Sequence, residues 1–372
     1  MQNKTKIVAT FSFIDYAKEF IWYAQYIDKE KFELICVFYH PFLPKIIDEI
    51  SRFGVESYWI KYNGKRDLPL AILKTLKLFS KLKPFVLHAQ LFDASLISMI
   101  SAWILKIPHR IYTRHHADLH HIYHPQAVKY DKLINNLSKK IICPTQRLKN
   151  ILITKEAVNE NKIVVIPHGF VFDNVNKADV EKYKKDHKLI GYPIIGVISR
   201  FTHWKGVQFI VEAYKLFIEY YPESIIVFAG YKGDYENVIL EKLKSIPTKN
   251  YKLIEFEKNN SILFSVFDIF VHTPISSTAE SFGQIYVESI AYGVPSIITL
   301  SGIAKENDLF EKFAYVVPYE ISRPIFDGLM EITKNIDSYK EKTKKAALIF
   351  RDEFNFEKKI KALEKIYNEF IP

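Results

Sequence analysis

Alternation of short strand-like runs with longer helical segments is the feature that most constrains the fold of this chain. Six runs rich in β-branched and aromatic residues occur in the first half, and a segment with helical periodicity follows each of them. The runs are KIVATF, FELICVFY, PFVLHAQ, RIYTRH, KIICPT and KIVVIPHG. This rhythm predicts βαβ units, and therefore a parallel sheet covered by helices.

The same rhythm starts again in the second half, with the runs PIIGVISR, SIIVFAG, YKLIEF, DIFVHT and PSIITL. Between Phe172 and Leu189 it lapses into the polar stretch FDNVNKADVEKYKKDHKL, where we place the domain linker. A chain of 372 residues exceeds the size at which one hydrophobic core keeps growing. We therefore predict an N-terminal domain over 1–175 and a C-terminal domain over 190–350. The amphipathic helix within 351–372 can pack on either domain.

Composition narrows the cellular setting and the classes of partner. Cys36 and Cys143 both stand in apolar runs, which indicates buried thiols rather than a disulfide framework. The first residues do not match a signal peptide, and no apolar run approaches the roughly 20 residues of a membrane-spanning helix. We therefore expect a cytoplasmic protein. Its formal net charge of +10 calls for an anionic partner such as nucleic acid, acidic lipid or a phosphorylated substrate.

Two features of the sequence distinguish between these classes of anionic partner. Residues 71–84 (AILKTLKLFSKLKP) place lysines among Leu and Phe at helical spacing. This pattern predicts a basic amphipathic helix, either with a solvated face or lying on the inner face of the cell membrane. No DNA- or RNA-binding motif is recognisable, and the positive charge is spread along the chain. We therefore do not expect nucleic acid as a partner.

One stretch, AESFGQIYVESIAYGVPSII, combines features of a nucleotide-sugar site. It reads as a loop, a helix, a turn and a strand, with Glu280 before the helix and Glu288 inside it. A helix start with free N–H groups attracts phosphate, and Gly283 lets a ligand approach the backbone closely. The carboxylates can accept paired hydrogen bonds from diols, Glu280 from a sugar ring and Glu288 from a ribose.

The pattern of a carboxylate, seven residues and a second carboxylate, with FG following the first, resembles glycosyltransferase family 4. The segments GVISRFTHWKGVQFIVEAYKLF, KIVVIPHGF and HAQLFDASLISMISAWILKIPHRIYTRHHAD also resemble parts of this family, which contains the bacterial group 1 glycosyltransferases. The resemblance implies the GT-B fold, with two doubly wound, Rossmann-like domains facing each other across a cleft. It also implies retaining transfer of a sugar from a nucleotide-sugar donor.

The resemblance assigns roles to particular residues. Glu280 matches the position that contacts the donor sugar, and His115 matches the active-site histidine, with His116 as the second candidate. Glu288 matches the position that binds the nucleoside. The donor diphosphate would be bound by Arg200, Lys205, Gly283 and Gln284.

No metal is implied for this reaction, because two fixed cations, Arg200 and Lys205, would stabilise the departing diphosphate. The chain contains no Asp-x-Asp, the arrangement by which many metal-dependent glycosyltransferases hold a divalent ion. We therefore expect a nucleotide-sugar co-substrate and no essential cofactor.

The loop after the first strand departs from the family. The family usually has a Gly-Gly pair there, whereas this chain has TFSFIDYAKEF. Asp15, Tyr16 and Lys18 are candidates to shape the acceptor side instead.

The histidines that follow the fourth strand-like run could instead form a metal site. His116 with His120, and His120 with His124, have the i, i+4 spacing that zinc sites use. No cysteine is nearby, and Asp118 is the only local carboxylate. We therefore favour the sugar-binding role over a metal site.

Together these observations predict a hexosyl- or related glycosyltransferase that transfers a sugar to a hydroxyl of a glycan or lipid-linked acceptor. The setting we expect is bacterial surface polysaccharide or glycoconjugate synthesis at the inner face of the cell membrane. Two alternatives share the architecture: a non-catalytic protein, and a sugar-nucleotide epimerase or hydrolase.

Overall fold

Each of two structural units is built around one parallel β-sheet. In this computed structural model, which describes residues 4–371, the first unit runs up to Phe170 and resumes at Asn355, and the second spans Val171–Phe354. The sheets have seven and six strands. The prediction of two Rossmann-like parallel-sheet domains is confirmed.

The first unit has helices packed around its seven-stranded sheet. Its strands are β1 (Thr5–Ser12), β2 (Phe32–His40), β3 (Glu56–Lys61), β4 (Val86–Gln90), β5 (His109–Thr113), β6 (Lys140–Cys143) and β7 (Ile163–Val165). Their order is β3-β2-β1-β4-β5-β6-β7, and all neighbouring strands are parallel. The helices are α1 (Lys18–Tyr26), α2 (Ile46–Ser51), α3 (Leu68–Leu82), α4 (Phe92–Ile104), α5 (Leu119–Tyr123), α6 (Val128–Leu137) and α7 (Gln146–Thr154).

The second unit repeats this plan with six strands. These are β8 (Ile194–Ile198), β9 (Ile225–Ala229), β10 (Tyr251–Ile254), β11 (Ile269–His272), β12 (Ser296–Ile298) and β13 (Tyr315–Val316), in the order β10-β9-β8-β11-β12-β13. All neighbouring strands are again parallel. The helices are α8 (Lys177–Asp186), α9 (Val207–Phe217), α10 (Glu236–Leu243), α11 (Asn260–Val266), α12 (Gln284–Ala291), α13 (Ile303–Glu306), α14 (Leu309–Phe313), α15 (Ser322–Lys334) and α16 (Ile336–Glu353).

The central strands are buried throughout, as expected where helices cover both faces of a parallel sheet. Every residue of β4, β9 and β11 is buried. Such continuous burial is typical of parallel sheets, whose strands have no solvent-facing side.

The strand order fixes where ligands are expected to bind. In the first sheet the order reverses between β1 and β4, and in the second it reverses between β8 and β11. Ligands of open α/β sheets bind beyond the carboxyl ends of the strands at such a reversal. The loops after β1, β8 and β11 carry most of the candidate site residues, and His115 and His116 follow β5, the strand next to β4.

Two strands were missed by the sequence analysis, and both lie at sheet edges. Only Ile60 is buried in β3, and β13 has just two residues. An edge strand packs against one neighbour only, so its sequence lacks the continuous apolar run that identifies a central strand.

The stretch predicted to be a linker contains helix α8, which is part of the second unit. Asn176 caps this helix by accepting a hydrogen bond from the backbone N–H of Asp179 at 2.8 Å. Val180 and Tyr183, three positions apart, pack against the core of the second unit. This narrow contact face explains why the polar sequence was interpreted as a linker, and the second unit starts at Val171 rather than at 190.

The last helix, α17 (Phe356–Asn368), belongs to the first unit. It buries five side chains: Phe356, Ile360, Leu363, Ile366 and Tyr367. The Tyr367 hydroxyl lies 2.6 Å from Nδ1 of His88 and 2.7 Å from the Tyr23 hydroxyl, both buried. Apolar packing and this hydrogen-bonded chain hold α17 to the sheet.

Three further expectations can be compared with the structure. The basic amphipathic helix is present as α3, with Lys74, Lys77 and Lys81 exposed. Cys36 and Cys143 are buried thiols, as predicted. No helix within residues 4–371 is long and apolar enough to cross a membrane.

Candidate functional site

Lys205 and Glu280, from the loops after β8 and β11, meet at the carboxyl edge of the second sheet. β8 and β11 are neighbours, so their carboxyl ends bring these loops together. Nζ of Lys205 donates to Oε1 of Glu280 at 2.5 Å. The sequence analysis assigned both residues to one donor site, and the structure places them in direct contact.

A second nitrogen donor also reaches the Glu280 carboxylate. Nε2 of His272, the last residue of β11, lies 2.9 Å from the same Oε1. The backbone N–H of Glu280 donates to Oγ of Ser301 at 2.9 Å, and Glu280 is only 8% exposed. Contacts to its side chain and its backbone therefore fix the position of this carboxylate.

Glu280 is ionised at neutral pH. Burial by itself would raise the pKa of this carboxyl, but the charge of Lys205 and the hydrogen bond from His272 lower the pKa to about 2. Such a carboxylate is a very weak base near pH 7, so its chemistry is that of a fixed anion and hydrogen-bond acceptor.

His272 was missed by the sequence analysis, which used DIFVHT only as a strand. Its imidazole packs edge-on against Tyr286, with ring centroids 4.8 Å apart. Within residues 4–371, its buried Nδ1 has no hydrogen-bond partner. Burial lowers the pKa of His272, so the ring is neutral at pH 7. A histidine at the carboxyl end of a buried strand was the signal that could have identified it.

Two glycines allow the loops around Glu280 to approach closely. A Cβ on Gly206 would lie 1.9 Å from the carbonyl oxygen of Thr273, and a Cβ on Gly302 would lie 2.4 Å from that of Phe282. Both glycines have positive φ, at 70° and 57°. Gly206 directly follows Lys205, so its close approach brings the lysine to Glu280.

Helix α12 carries the other predicted donor residues. Gly283, with φ of 84°, directly precedes the helix, and a Cβ there would lie 2.5 Å from the Tyr286 ring. Gln284 is the first helical residue and is exposed. Glu288 is half-buried, with Oε1 3.4 Å from Nδ2 of Asn260.

Arg200 lies two residues beyond the end of β8, and its side chain is exposed. Its backbone carbonyl accepts from the N–H of Thr202 at 2.9 Å. The loop after β8 thus carries an exposed guanidinium and, five residues later, the ammonium of Lys205.

His115 occupies a polar cluster in the first unit. Its Nε2 lies 3.1 Å from Oε1 of Gln90, the last residue of β4, and its ring stacks on His168 with centroids 5.8 Å apart. Burial lowers the pKa of His115 to about 3, so the imidazole is neutral at pH 7.

Three charged or titratable residues beside His115 were not predicted. Nδ1 of His168 lies 2.9 Å from Oε2 of Glu19, and Lys359 of α17 donates to the other oxygen of this carboxylate. A cavity of about 20 Å³, large enough for about one water molecule, lies among these residues. His168 follows β7 in KIVVIPHG and could have been identified by its position after a strand.

His116 points to a different group of residues from His115. Its Nε2 lies 3.3 Å from Oδ1 of Asp131, and its ring packs against Phe92. Burial lowers the pKa of His116 to about 4. His115 and His116 are adjacent in sequence but therefore belong to separate clusters of side chains.

The predicted acceptor-side residues follow β1 and are all half-buried. Oδ1 of Asp15 accepts from the backbone N–H of Lys45 at 2.9 Å, and the Asp15 carbonyl accepts from the N–H of Ile46 at the start of α2. Asp15 therefore holds the start of α2. Tyr16 and Lys18 lie between Asp15 and Glu19, Lys18 as the first residue of α1.

Comparisons with known proteins identify the family. A model described as "Glycosyltransferase Family 4" matches residues 23–173, and one described as "Glycosyl transferases group 1" matches residues 179–318. Together the two models span more than half of the chain.

The similar proteins agree with these models. The capsular polysaccharide biosynthesis glycosyltransferase CapM of Staphylococcus aureus is 30% identical over 259 residues, which are 63% of this chain and 65% of CapM. The alpha-monoglucosyldiacylglycerol synthase of Acholeplasma laidlawii is 24% identical over 57% of this chain and 54% of its own length. The chain thus spans somewhat less than two thirds of each relative.

The crystal structure of Anabaena HepE in complex with UDP and glucose has the same fold. It superposes with a TM-score of 0.84 over 98% of this chain and all of HepE, at 15% identity. From both family models and these likenesses, the chain belongs to the group 1 glycosyltransferases of the family 4 type.

Proposed function

We propose that this protein is a retaining glycosyltransferase that uses a nucleotide-sugar donor. The acceptor is a hydroxyl of a glycan or a lipid-linked glycan in bacterial surface polysaccharide or glycoconjugate synthesis. The observation that carries the proposal is the Glu280, Lys205 and His272 cluster at the strand-order reversal of the second sheet. A buried, ionised carboxylate paired with a lysine can accept hydrogen bonds from a sugar and offer a cation to its leaving group.

Glu280 binds the donor sugar in this proposal. Its pKa of about 2 makes it an acceptor for sugar hydroxyls rather than a proton carrier. Lys205 and the exposed Arg200 then stabilise the negative charge that develops on the diphosphate as the glycosidic bond breaks. Because Lys205 already contacts Glu280, sugar and diphosphate would be bound side by side.

Helix α12 binds the nucleotide. The backbone N–H groups around Gly283 and Gln284, at the start of the helix, attract the diphosphate. Glu288, one turn further along, accepts hydrogen bonds from the ribose diol. The support is the position of this helix, which begins four residues after Glu280.

His115 is the active-site histidine in this proposal, and His116 the second candidate. The neutral His115 ring lies at the carboxyl ends of β4 and β5, beside Gln90 and His168. A neutral imidazole can donate one hydrogen bond to a sugar hydroxyl and accept another. The retaining outcome rests on the family.

No metal at the diphosphate is part of the proposed reaction, because Arg200 and Lys205 supply the positive charge there. We expect addition of Mg²⁺ or Mn²⁺ to leave the transfer rate unchanged within about twofold. A strict requirement for either ion at the donor site would contradict this.

A sugar-transfer assay tests the function. Radiolabelled nucleotide sugars are incubated with the protein and a bacterial glycolipid extract, and labelled glycolipid is expected. Release of free sugar only would indicate a hydrolase, and conversion of the nucleotide sugar to an isomer would indicate an epimerase. Absence of any conversion, with donor binding retained, would indicate a non-catalytic protein.

We also propose that helix α3 contacts an anionic membrane surface. Helix α3 exposes Leu70 and Leu73 together with Lys74, Lys77 and Lys81. The A. laidlawii relative is an alpha-monoglucosyldiacylglycerol synthase, and this similarity supports a lipid acceptor.

Liposome pelleting tests this contact. Reversing the charge of Lys74, Lys77 and Lys81 to Glu should reduce pelleting with anionic vesicles. The matched control reverses three exposed lysines of α16, Lys342, Lys344 and Lys345. Equal pelleting of the two variants would show that the lysines of α3 do not bind the membrane.

A further inference from the structure

Three possible metal ligands converge in the first unit, in the segment that follows β5. His116 precedes α5, His120 lies in α5, and Asp131 lies in α6. Each offers one ligand atom, and these atoms all lie within 4.8 Å of one another. The sequence analysis considered His116, His120 and His124 at this place and found no suitable carboxylate. The fold supplies one, Asp131, from the next helix.

The distances suit a small divalent ion. Nε2 of His116 lies 3.3 Å from Oδ1 of Asp131, and Nδ1 of His120 lies 2.7 Å from Oδ2. Two ligands about 2.0–2.1 Å from a tetrahedral zinc ion are roughly 3.3 Å apart. The pair of His116 Nε2 and Asp131 Oδ1 already has this separation. His120 faces the other oxygen, Oδ2, so the carboxylate has to bind through both oxygens or rotate, and the His120 pair then opens by about 0.6 Å.

Two buried atoms of the cluster make no hydrogen bond within residues 4–371. They are Nε2 of His116 and Oδ1 of Asp131. Asp131 is fully buried, and its Oδ1 has Nη1 of Arg114 as an ion-pair partner at 2.8 Å, without hydrogen-bond geometry. Buried polar atoms without a hydrogen bond call for an explanation, and a bound ion is one.

The charge of the surrounding residues also favours a cation. Arg114, Asp131 and Glu156 are all fully buried in their side chains, so one guanidinium faces two carboxylates. Arg114 can remain with Glu156, whose Oε1 is 2.9 Å from Nη2. His121 and Asn135 also contact Glu156, at 3.0 and 2.6 Å. Asp131 keeps the two histidines beside it in addition to Arg114.

We propose that His116, His120 and Asp131 bind one Zn²⁺ ion that joins α5 and α6 to the loop after β5. Two imidazole nitrogens and one carboxylate are ligands that zinc accepts, whereas Mg²⁺ and Ca²⁺ prefer oxygen ligands only. A water molecule can complete the tetrahedron, because the His116 side chain is 19% exposed. The ion would fix the loop that carries His115 and, by engaging His116, would leave His115 as the active-site histidine.

The site is tested by metal analysis of the full-length chain without a histidine tag. After purification in the absence of chelators, elemental analysis is expected to find about one zinc per chain. The protein is then stripped with a strong chelator, and Zn²⁺ is titrated back while the melting temperature is followed. Binding is compared in His116→Gln, His120→Gln and the control His124→Gln. Replacement by Co²⁺ gives a second readout, the visible absorption of a tetrahedral complex.

We expect the first two variants to bind Zn²⁺ at least about 10–100-fold more weakly, because loss of even an outer-sphere partner has effects of this size. His124→Gln should bind like the original chain. His116 is partly exposed, so His116→Gln should still fold and keep the comparison interpretable. The proposal is overturned if the original chain binds no zinc, or if all three variants bind it equally well. Neither result bears on sugar transfer, which has its own assay.

Discussion

At the residue scale, the donor side of the protein depends on the state of one carboxylate. Glu280 is buried, yet Lys205 and His272 keep it ionised. Removing one partner of a buried pair leaves the other group with the full desolvation penalty. The substitutions that test this site should therefore keep shape and hydrogen bonds while they change charge.

The first prediction separates the two glutamates. Glu280→Gln keeps the size of the side chain and should lower kcat at least about 100-fold, comparable to the loss of one preorganised group at a reacting centre. Glu288→Gln, the matched control, should mainly raise KM for the donor, because the ribose is bound equally in ground and transition states. Steady-state kinetics distinguishes the two patterns. Similar effects on kcat in both variants would remove the separate roles.

The second prediction concerns acid stability. The pKa of Glu280 is lower in the folded chain, so its contribution to the free energy of unfolding is present above the unfolded-state pKa of about 4.5. It is lost as the pH falls toward 2, and about 1 kcal/mol should already be lost between pH 6 and pH 4. Urea unfolding at these pH values should show this extra loss in the original chain and not in Glu280→Gln. If the free energy of unfolding changed with pH in the same way in both proteins, this prediction would be wrong.

The residues that the sequence identified and those it missed differ in a simple way. Glu280, Gly283 and Glu288 fall within nine positions and form a recognisable local pattern. Glu19 and Lys359 lie 340 positions apart and meet only because α17 returns to the first unit. No local spacing contains that information. The same holds for Asp131, whose relation to His116 depends on how α6 packs.

At the element scale, the loop after β8 shows how backbone geometry positions a side chain. Gly206 has φ of 70° and no room for a Cβ, because the Thr273 carbonyl is 1.9 Å from the Cβ position. The loop can therefore pack on the end of β11 and bring Lys205 to Glu280.

The third prediction uses a pair of glycines with the same φ. Gly54 also has φ of 70°, but its Cβ position has nothing within 4 Å. Gly54→Ala should cost about 1 kcal/mol of unfolding free energy from backbone strain alone. Gly206→Ala should cost about 1–3 kcal/mol more, because the clash must be relieved by moving the loop. It should also weaken transfer, since Lys205 moves with the loop. Equal losses in unfolding experiments would show that the close approach is unimportant.

The elements themselves were predictable to different degrees. Central strands such as β8 and β9 are continuous apolar runs, and they were identified. The edge strands β3 and β13 and the polar helix α8 bury too few side chains to produce a clear pattern. Strand β10 buries only Ile254 but was still identified, because its sequence YKLIEF keeps a strand-like run.

At the scale of the whole molecule, the chain ends in the unit in which it began. Tyr367 of α17 is hydrogen-bonded to His88 and Tyr23 in the first unit. Tyr214 has a similar place in the second unit, where its buried hydroxyl lies 2.9 Å from the carbonyl oxygens of both Ser224 and Asn250. Each of these two tyrosines thus connects separate segments of its own unit.

The fourth prediction uses these two tyrosines. Tyr367→Phe leaves His88 and Tyr23 without a shared partner and should cost about 1–3 kcal/mol. Hydrogen exchange should accelerate in the strands beside α17 in the first unit, while protection in the second unit is unchanged. Tyr214→Phe should give the opposite distribution. If either variant loosened both units equally, the division of the chain into these two units would be contradicted.

The most direct test of the central claim is a thermal-shift panel of nucleotide sugars against the original chain and Lys205→Ala. A ligand at 100 times its dissociation constant adds about 2.7 kcal/mol of stability, which should raise the melting temperature by several degrees. We predict that at least one nucleotide sugar does so, and that the shift shrinks in Lys205→Ala. If no nucleotide or nucleotide sugar stabilises the chain while RNA does, the glycosyltransferase function proposed for it is wrong.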